Sequence, residues 1–272
     1  MTVTTKAVIL ARGLGSRMRR GDTAATLSDA QSAAADSGVK GMIPIDRPFL
    51  DYVISALADA GLSEVCLVIG PEHDAVRAYY TQDVRPERVH IHFAIQEHPR
   101  GTADAVAAAA AFAGDDPVLV LNADNYYPVS AYRAIASLGG SGLVGFDAAS
   151  LVVNSNIPAE RIRAFALVTA DSAGHLASIV EKPDEATWAR LAGSARVSMN
   201  LWSFTPVIFE ACPRVQLSPR GELELQDAVR IARDEFGEAF TVVPSSGGVL
   251  DLSSRQDIPR VAAALEGVKV VL

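Results

Sequence analysis

Two cysteines, Cys66 and Cys212, are all the thiol chemistry the 272 residues carry. They share no zinc or redox spacing. Cys66 lies inside the apolar run Val65-Cys66-Leu67-Val68-Ile69, which predicts a buried, inert thiol. Basic charge is short as well: 24 Lys and Arg stand against 32 Asp and Glu, for a formal net charge of -8. A nucleic-acid-binding surface would be basic, so no nucleic-acid partner is expected, although a local basic pocket for a phosphorylated small molecule is allowed. No apolar run is long enough to span a bilayer. Met1-Thr2-Val3-Thr4-Thr5 has no charged-then-apolar signal pattern. A cytoplasmic protein with no membrane partner is the expectation. No internal repeat is visible, and no hexapeptide-repeat tail that would predict an appended β-helix.

Hydrophobic residues make up 49% of the chain, enough for a substantial core. The length suits one large α/β domain or two small ones. The N-terminal stretch Lys6-Ala7-Val8-Ile9-Leu10-Ala11-Arg12-Gly13-Leu14-Gly15-Ser16-Arg17-Met18 organises the reading. Its apolar start predicts a buried strand. Glycine then allows positive φ and close approach of a ligand to the backbone. Successive N–H groups can point at one anion, and Arg17 adds a forked cation suited to phosphate. A dinucleotide fingerprint would need a third glycine where Met18 stands, and a P-loop would need Gly-Lys-Ser/Thr. Neither is present, which disfavours a Rossmann-type dehydrogenase.

Apolar runs at 7–11, 65–69, 89–95 and 118–122 predict strands, and 49–60, 73–80 and 102–113 predict helices, with Thr102 as an N-cap. Alternation of this kind implies a mostly parallel sheet covered on both faces. Ligands bind beyond the carboxyl ends of such strands. The turn at Gly13, the segment from Gln96 and the segment Asn122-Ala123-Asp124-Asn125 all follow strand ends and should meet on one rim. Residues 19–39 read as a loop, partly helical, that could cover the phosphate turn with Arg19 and Arg20. The second half is less regular. Strands are expected at 165–169, 177–180 and 198–204, a hairpin turn at Asp171-Ser172-Ala173-Gly174, and helices at 223–236 and 257–265. The last run, 268–272, predicts a short terminal strand. His73 and His98 are expected as turn residues.

Taken in order, these motifs resemble those of the sugar-1-phosphate nucleotidylyltransferases over nearly the whole chain. The turn from Leu10 to Met18 resembles L-A-G-G-x-G-T-R-L. Lys40-Gly41-Met42-Ile43-Pro44-Ile45 followed by Arg47-Pro48-Phe49-Leu50-Asp51-Tyr52 resembles K-P-M-x-P-I and K-P-x-L-x-Y. Gln96 with Pro99-Arg100-Gly101-Thr102-Ala103 resembles Q-x-x-P-x-G-T-A, and Asn122-Ala123-Asp124-Asn125 resembles the G-D-N segment. Glu181-Lys182-Pro183 is the family's E-K-P. Arg220-Gly221-Glu222-Leu223-Glu224-Leu225-Gln226-Asp227 is close to R-G-E-L-E-I-T-D. Leu250-Asp251-Leu252 with Asp257 and Ile258 resembles W-x-D-x-G-T-x-x-D-L.

The resemblance implies a Rossmann-like three-layer α/β fold with a mixed, mostly parallel central sheet. It implies one nucleotidyltransferase domain over 1–272, with a nucleotide-binding half at about 1–130 and a sugar-phosphate-binding half at about 131–272. The implied reaction is attack of a sugar phosphate oxygen on the α-phosphorus of a nucleoside triphosphate, releasing pyrophosphate. Such transfer needs alignment and charge neutralisation. Catalytic roles fall to Arg17, Lys40, Asp124 and Lys182. Nucleotide-binding roles fall to Leu10, Ala11, Gly13, Leu14, Gly15, Ser16, Gln96, Gly101, Thr102 and Asn122. Ala166, Glu181 and Asn200 fall on the sugar side. Mg²⁺ is the implied cofactor, with Asp124 and Asp251 as its ligands. Gln96 carries both a donor and an acceptor, which suits the N3–H and carbonyl edge of uracil or thymine, so UTP or dTTP is favoured.

Some positions depart from the pattern. Arg12 replaces a small residue, so its side chain must point away or the pocket is remodelled. Ala166 stands where relatives have glycine, and Ser253-Ser254 replace Gly-Thr in the closing motif. These departures leave two alternatives open: a non-catalytic regulatory protein that binds nucleotide sugars, and a cytidylyltransferase acting on a phospho-alcohol. The sequence leaves oligomeric state open, a homo-oligomer included.

Overall fold

The computed structural model describes residues 3–13, 15–20 and 27–272. Its strands are β1 (Lys6–Leu10), β2 (Glu64–Ile69), β3 (His90–Ile95), β4 (Val118–Asn122), β5 (Asn125–Tyr126), β6 (Gly142–Phe146), β7 (Leu167–Ala170), β8 (Leu176–Val180), β9 (Arg196–Phe204), β10 (Thr241–Ser245) and β11 (Leu250–Asp251). A nine-stranded sheet runs in the order β10-β6-β9-β4-β1-β2-β3, with β7 pairing β9 and β8 pairing β7. β1 is parallel to β2 and β4, β2 to β3, and β6 to β10. β9 runs antiparallel to both β4 and β6. β5 and β11 form a separate antiparallel pair.

The central strands are apolar along their length because both faces are covered. Side chains alternate across the sheet. Ala7, Ile9, Val65, Leu67, Leu119 and Leu121 enter one core, and Val8, Cys66, Val68, Val118 and Val120 enter the other. The helix Phe49–Asp59 packs in the first core and the helix Leu225–Phe236 in the second. Helices, sheet and helices make the three layers expected. Each fully buried Val or Leu contributes roughly 1.5–3 kcal/mol. Both thiols are buried, Cys66 as expected, and burial pushes each up to about 12. Among the described residues, no helix is long and apolar enough to cross a membrane.

Several local expectations are corrected. Residues 102–113 form two helices, Thr102–Ala108 and Ala110–Ala113, broken at Ala109. Thr102 is not an N-cap of its own helix. Gly101 holds that place at φ 127°, and Thr102 Oγ1 instead accepts from Leu225 N at 2.9 Å, capping the helix Leu225–Phe236. The expected helix at 73–80 is Asp74–Ala78 followed by a wide turn at Tyr79–Asp83. Both Tyr79 and Tyr80 hydroxyls then reach the buried carboxylate of Asp51, each at 2.8 Å. Residues 268–272 are not a strand. Side chains hold the tail: Val271 N donates to Ser55 Oγ, and Val271 O accepts from Arg88.

Within 19–39, a regular helix spans Asp29–Ser37, begun by a capping box between Ser28 and Gln31. Residues 21–26 of this segment lie outside the described residues. The hairpin at Asp171 is present, with Asp171 Oδ1 accepting from Ala173 N and His175 N.

Candidate active site

The parallel register brings three strand ends to one level. Leu10 pairs with Asn122 on β4 and Val68 on β2, and Ile69 pairs with Ile95 on β3. The segments that follow continue the stack: Ala11 N donates to Val68 O, Ala123 N to Leu10 O, and Gln96 N to Ile69 O. Beyond that rim lies a cleft of about 350 Å³. Of the expected residues it gathers Leu10, Ala11, Gly13, Gly15, Ser16, Arg17, Lys40, Gln96, Gly101, Thr102, Asn122 and Asp124. Leu14 lies outside the described residues.

The two glycines of the turn have different reasons to be glycine. Gly15 sits at φ 59°, and a Cβ there would meet Gly38 O at 2.3 Å. The loop can lie against the end of the helix Asp29–Ser37 only without a side chain at that point. Gly13 has open space where a Cβ would go and faces the cleft. Arg17 is exposed on the short helix Ser16–Arg19. Arg255 ties this region to its surroundings: Nε donates to Met18 O at 2.9 Å, and the guanidinium pairs with Asp36.

Lys40 Nζ donates to Asp124 Oδ2 at 2.7 Å, so the two expected catalytic charges meet across the cleft. The Arg12 side chain is held at the edge of the cleft. Its Nη1 donates to Gln96 O, while Nε and Nη2 reach the Glu72 carboxylate at 3.3 and 3.2 Å. A Cβ on Gly70 would meet that carboxylate at 2.3 Å and Arg12 Nε at 2.5 Å, so the pair lies directly over Gly70. Arg12 is thus a fixed arginine, tied to Gln96 O and to a carboxylate outside the cleft wall.

Gln96 is 5% exposed. Its Nε2 donates to Gly101 O at 3.1 Å and to Asp104 Oδ2 at 2.8 Å. The donor end of this amide is therefore already used, which corrects the expectation that it offers both a donor and an acceptor. Gly101 is required by packing as well as by φ: a Cβ would meet Leu223 N and O at 2.5 Å. Leu223 N donates to Arg100 O, and Ala103 N to Leu223 O. That pairing brings Glu222 to the cleft wall, a position the sequence reading did not select.

The remaining expected residues stand outside the cleft wall. Glu181 and Lys182 follow β8, and Lys182 adopts φ 44°. Asn200 lies within β9 at φ 59°, where Gln226 Nε2 approaches its Oδ1 at 3.4 Å. Burial and then the charge of Glu224 raise Glu181 above the usual carboxylate range, opposed by Arg220, Arg230 and Lys182. Ala166 is buried, and its O accepts from Ser198 N. The 220–230 segment thus joins the two groups, with Glu222 on the cleft and Arg220, Glu224, Gln226 and Arg230 near Glu181 and Asn200.

Asp251 is 3% exposed and held on all sides. Asn156 clamps its backbone, accepting from Asp251 N and donating to Asp251 O, both at 2.8 Å. Asn125 Nδ2 and Ser253 Oγ donate to its carboxylate, and Arg161 Nη2 lies 2.8 Å from Oδ2. Arg161 Nη1 also donates to Asp257. Ser253 and Ser254, the replacements for Gly-Thr, serve this network directly, since Ser254 Oγ donates to Asp257. Burial and then the charge of Asp124 push Asp251 up to about 6. The two carboxylates therefore sense each other.

A family model described as nucleotidyl transferase matches residues 6–252. The chain belongs to the nucleotidyl transferase family. Its relatives include a low-salt glycan biosynthesis nucleotidyltransferase of Haloferax volcanii, 28% identical over 83% of this chain and 56% of that protein. The chain thus spans little more than half the length of that relative. A UTP–glucose-1-phosphate uridylyltransferase of the same organism is 26% identical over 93% of both chains. A crystal structure of UDP-glucose pyrophosphorylase complexed with UDP-glucose shares the fold, with a TM-score of 0.75 and 18% identity over 98% of this chain and all of that one. Family and fold agree with what the motifs implied. Asn156, Arg161 and Asp104 carried no motif signal in the family pattern, and only the folded chain brings them to the site.

Proposed function

We propose that this chain joins a nucleoside triphosphate, UTP or dTTP, to a sugar 1-phosphate, giving a nucleotide sugar and pyrophosphate. One observation carries the reading: in a nucleotidyl transferase chain, the glycine turn, Arg17, Lys40, Gln96 and Asp124 line a single cleft at the rim of the sheet. The relatives named for UTP and glucose 1-phosphate support the substrate class.

Transfer of this kind rests on alignment and on neutralising spreading charge. N–H groups of the turn, with Arg17 and Lys40, would hold the triphosphate. Lys182 would hold the sugar phosphate and aim its oxygen at the α-phosphorus. Glu181 and Asn200 would hold sugar hydroxyls beside the buried Ala166. Residues 1–130 would serve the nucleotide and 131–272 the sugar phosphate.

Among the described residues no group of three or more His, Cys, Asp or Glu could hold a metal. Mg²⁺ needs only one or two carboxylates when phosphates complete its shell. Asp124 and Asp251 offer those oxygens side by side: Leu252 N donates to Asp124 O at 2.8 Å, which seats Asp251 next to the cleft carboxylate, and Lys40 and Arg161 balance the two charges. The two carboxylates would hold Mg²⁺, which would supply positive charge against the phosphate oxygens. A cytoplasmic setting, where such substrates are made, completes the proposal.

Pyrophosphate release with Mg²⁺ tests it, crossing UTP, dTTP, CTP, GTP and ATP with a panel of sugar 1-phosphates and using Asp124→Ala as control. Turnover with one pair, lost in the control, is expected. Binding of a nucleotide sugar without turnover would instead support a regulatory binder. Turnover of CTP with a phospho-alcohol alone would support the cytidylyltransferase reading.

A further inference from the structure

Gln96 has two chemically different ends, and only one of them is free to meet a base. Both hydrogens of its amide nitrogen are spent, on Gly101 O and Asp104 Oδ2. A peptide carbonyl cannot donate. Nor can the Asp104 carboxylate, whose other oxygen pairs with Arg100 Nη2 at 2.5 Å. Turning the amide over would set Oε1 against two oxygens and break both bonds, one of them charge-assisted. Chemistry therefore fixes the orientation. The backbone of Gln96 is held as well, by Ile69 O on its N–H and by Arg12 on its carbonyl. Oε1 is what remains. Among the described residues it has no hydrogen-bond partner, and Gln96 lines the cleft.

We propose that Asp104 is a positioning residue that sets base specificity, by holding the Gln96 amide so that it presents an acceptor alone to the nucleotide. The inference rests on reading the cleft as the nucleotide site. An acceptor there selects bases with an imino N–H, as in uracil and thymine. Set opposite N3, it rejects cytosine, whose N3 is itself an acceptor and would face Oε1 lone pair to lone pair. A polar site that leaves its partner unpaired can discriminate strongly, so a preference for UTP over CTP of about 100-fold or more is expected. The Arg100–Asp104–Gln96 chain acts without touching the base.

The experiment measures binding of UTP and CTP by isothermal titration, together with kcat/KM from pyrophosphate release, in wild type, Asp104→Asn, Asp104→Ala and Asp104→Lys. Asn can still accept from Gln96 Nε2, so Asp104→Asn should keep most of the UTP preference. Asp104→Ala removes the charge-assisted bond and leaves only Gly101 O to hold the amide, so the preference should fall to less than about 10-fold. Lys donates, which draws Oε1 inward against the pull of Gly101 O, so Asp104→Lys should lower the UTP preference further than Asp104→Ala does. A general loss of packing would weaken both nucleotides together and leave their ratio alone. Folded Asp104→Ala and Asp104→Lys proteins with the wild-type ratio would overturn the proposal. So would wild type binding CTP as tightly as UTP, a result that needs no variant. If UTP binds selectively and the ratio shifts as stated while no sugar phosphate is turned over, the transfer reading fails and the role of Asp104 stands.

Discussion

Lys40 Nζ sits 2.7 Å from Asp124 Oδ2, and both side chains are largely withdrawn from solvent. The pair couples two residues proposed for separate tasks, one on the triphosphate and one on Mg²⁺. Removing either leaves the other charge uncompensated as well as losing its own role. Lys40→Ala and Asp124→Ala should each lower kcat/KM by on the order of 10²–10³. Because the partners act on each other, the double variant should lose much less than the product of the two. Steady-state pyrophosphate release on the four proteins measures the coupling. Strict multiplicativity would mean that the two residues act on turnover independently.

Arg161 bridges Asp251 and Asp257, both almost fully buried. Replacing it with methionine leaves two carboxylates in the interior without their cation. Breaking a buried pair in this way costs about 3–5 kcal/mol. Urea unfolding of Arg161→Met should show that loss, and a loss under about 1 kcal/mol would mean the network is not what anchors the closing motif.

The same network gives a pH dependence with a definite sign. Asp251 is pushed up to about 6 from the ordinary 3.8 by burial and by Asp124. Between these values the folded chain holds a proton that the unfolded chain has released. Stability from this group therefore rises as pH falls through 6, and the cost of its buried charge is complete above 6. Asp251→Asn removes the titration. Relative to wild type, its stability at pH 7 should exceed its standing at pH 4 by on the order of 2–3 kcal/mol. A difference between the two proteins that does not change with pH would show that Asp251 titrates normally.

The sheet centre was legible because 65–69 and 118–122 are buried on both faces and so read as unbroken apolar runs. The turn after β1 was legible because Gly15 takes a positive φ, a local demand that glycine meets. β6 and β10 were not. β6 contains Gly142 and Gly145, and a Cβ on Gly142 would meet Thr241 O at 2.5 Å, so its glycine reflects a neighbour and not a turn. β10 contains Pro244, tolerated because β10 is an edge strand. The helix Asp29–Ser37 carried a readable Ser28–Gln31 capping box inside a stretch whose composition suggested a loop. Asn156 and Arg161 had no local signal, since their work is done on Asp251, far along the chain. The order of motifs carried the cleft residues, while the donor state of Gln96 depended on Asp104, in the helix that follows its loop.

Gly70 offers a test of Arg12. An alanine there would put its methyl where the Arg12–Glu72 pair lies. Glu72 is half exposed, so losing the pair itself should cost no more than about 1 kcal/mol of stability. Arg12 would leave Gln96 O, however, and one hydrogen bond of this kind is worth up to about tenfold in affinity. Gly70→Ala should thus raise KM for the nucleotide by several-fold to about tenfold while the Tm hardly moves. A large fall in Tm with unchanged KM would assign the pair to folding alone.

Lys182 sits at φ 44°, in the left-handed region that a residue with a Cβ enters at a cost of roughly 1–2 kcal/mol. Strain of this kind persists where surrounding structure holds it, and it gathers at functional sites. If the backbone is bent there to aim the ammonium at the sugar phosphate, function and stability should part company. Lys182→Gly and Lys182→Ala both remove the charge, and both should lower kcat by on the order of 10²–10³. Only glycine also relieves the bend. The glycine variant should therefore be more stable than the alanine variant by about 1 kcal/mol, read from urea midpoints. Equal activity losses with that stability gap would tie the strain to the placement of the lysine. An alanine variant as active as wild type would remove Lys182 from the reaction, whatever its backbone.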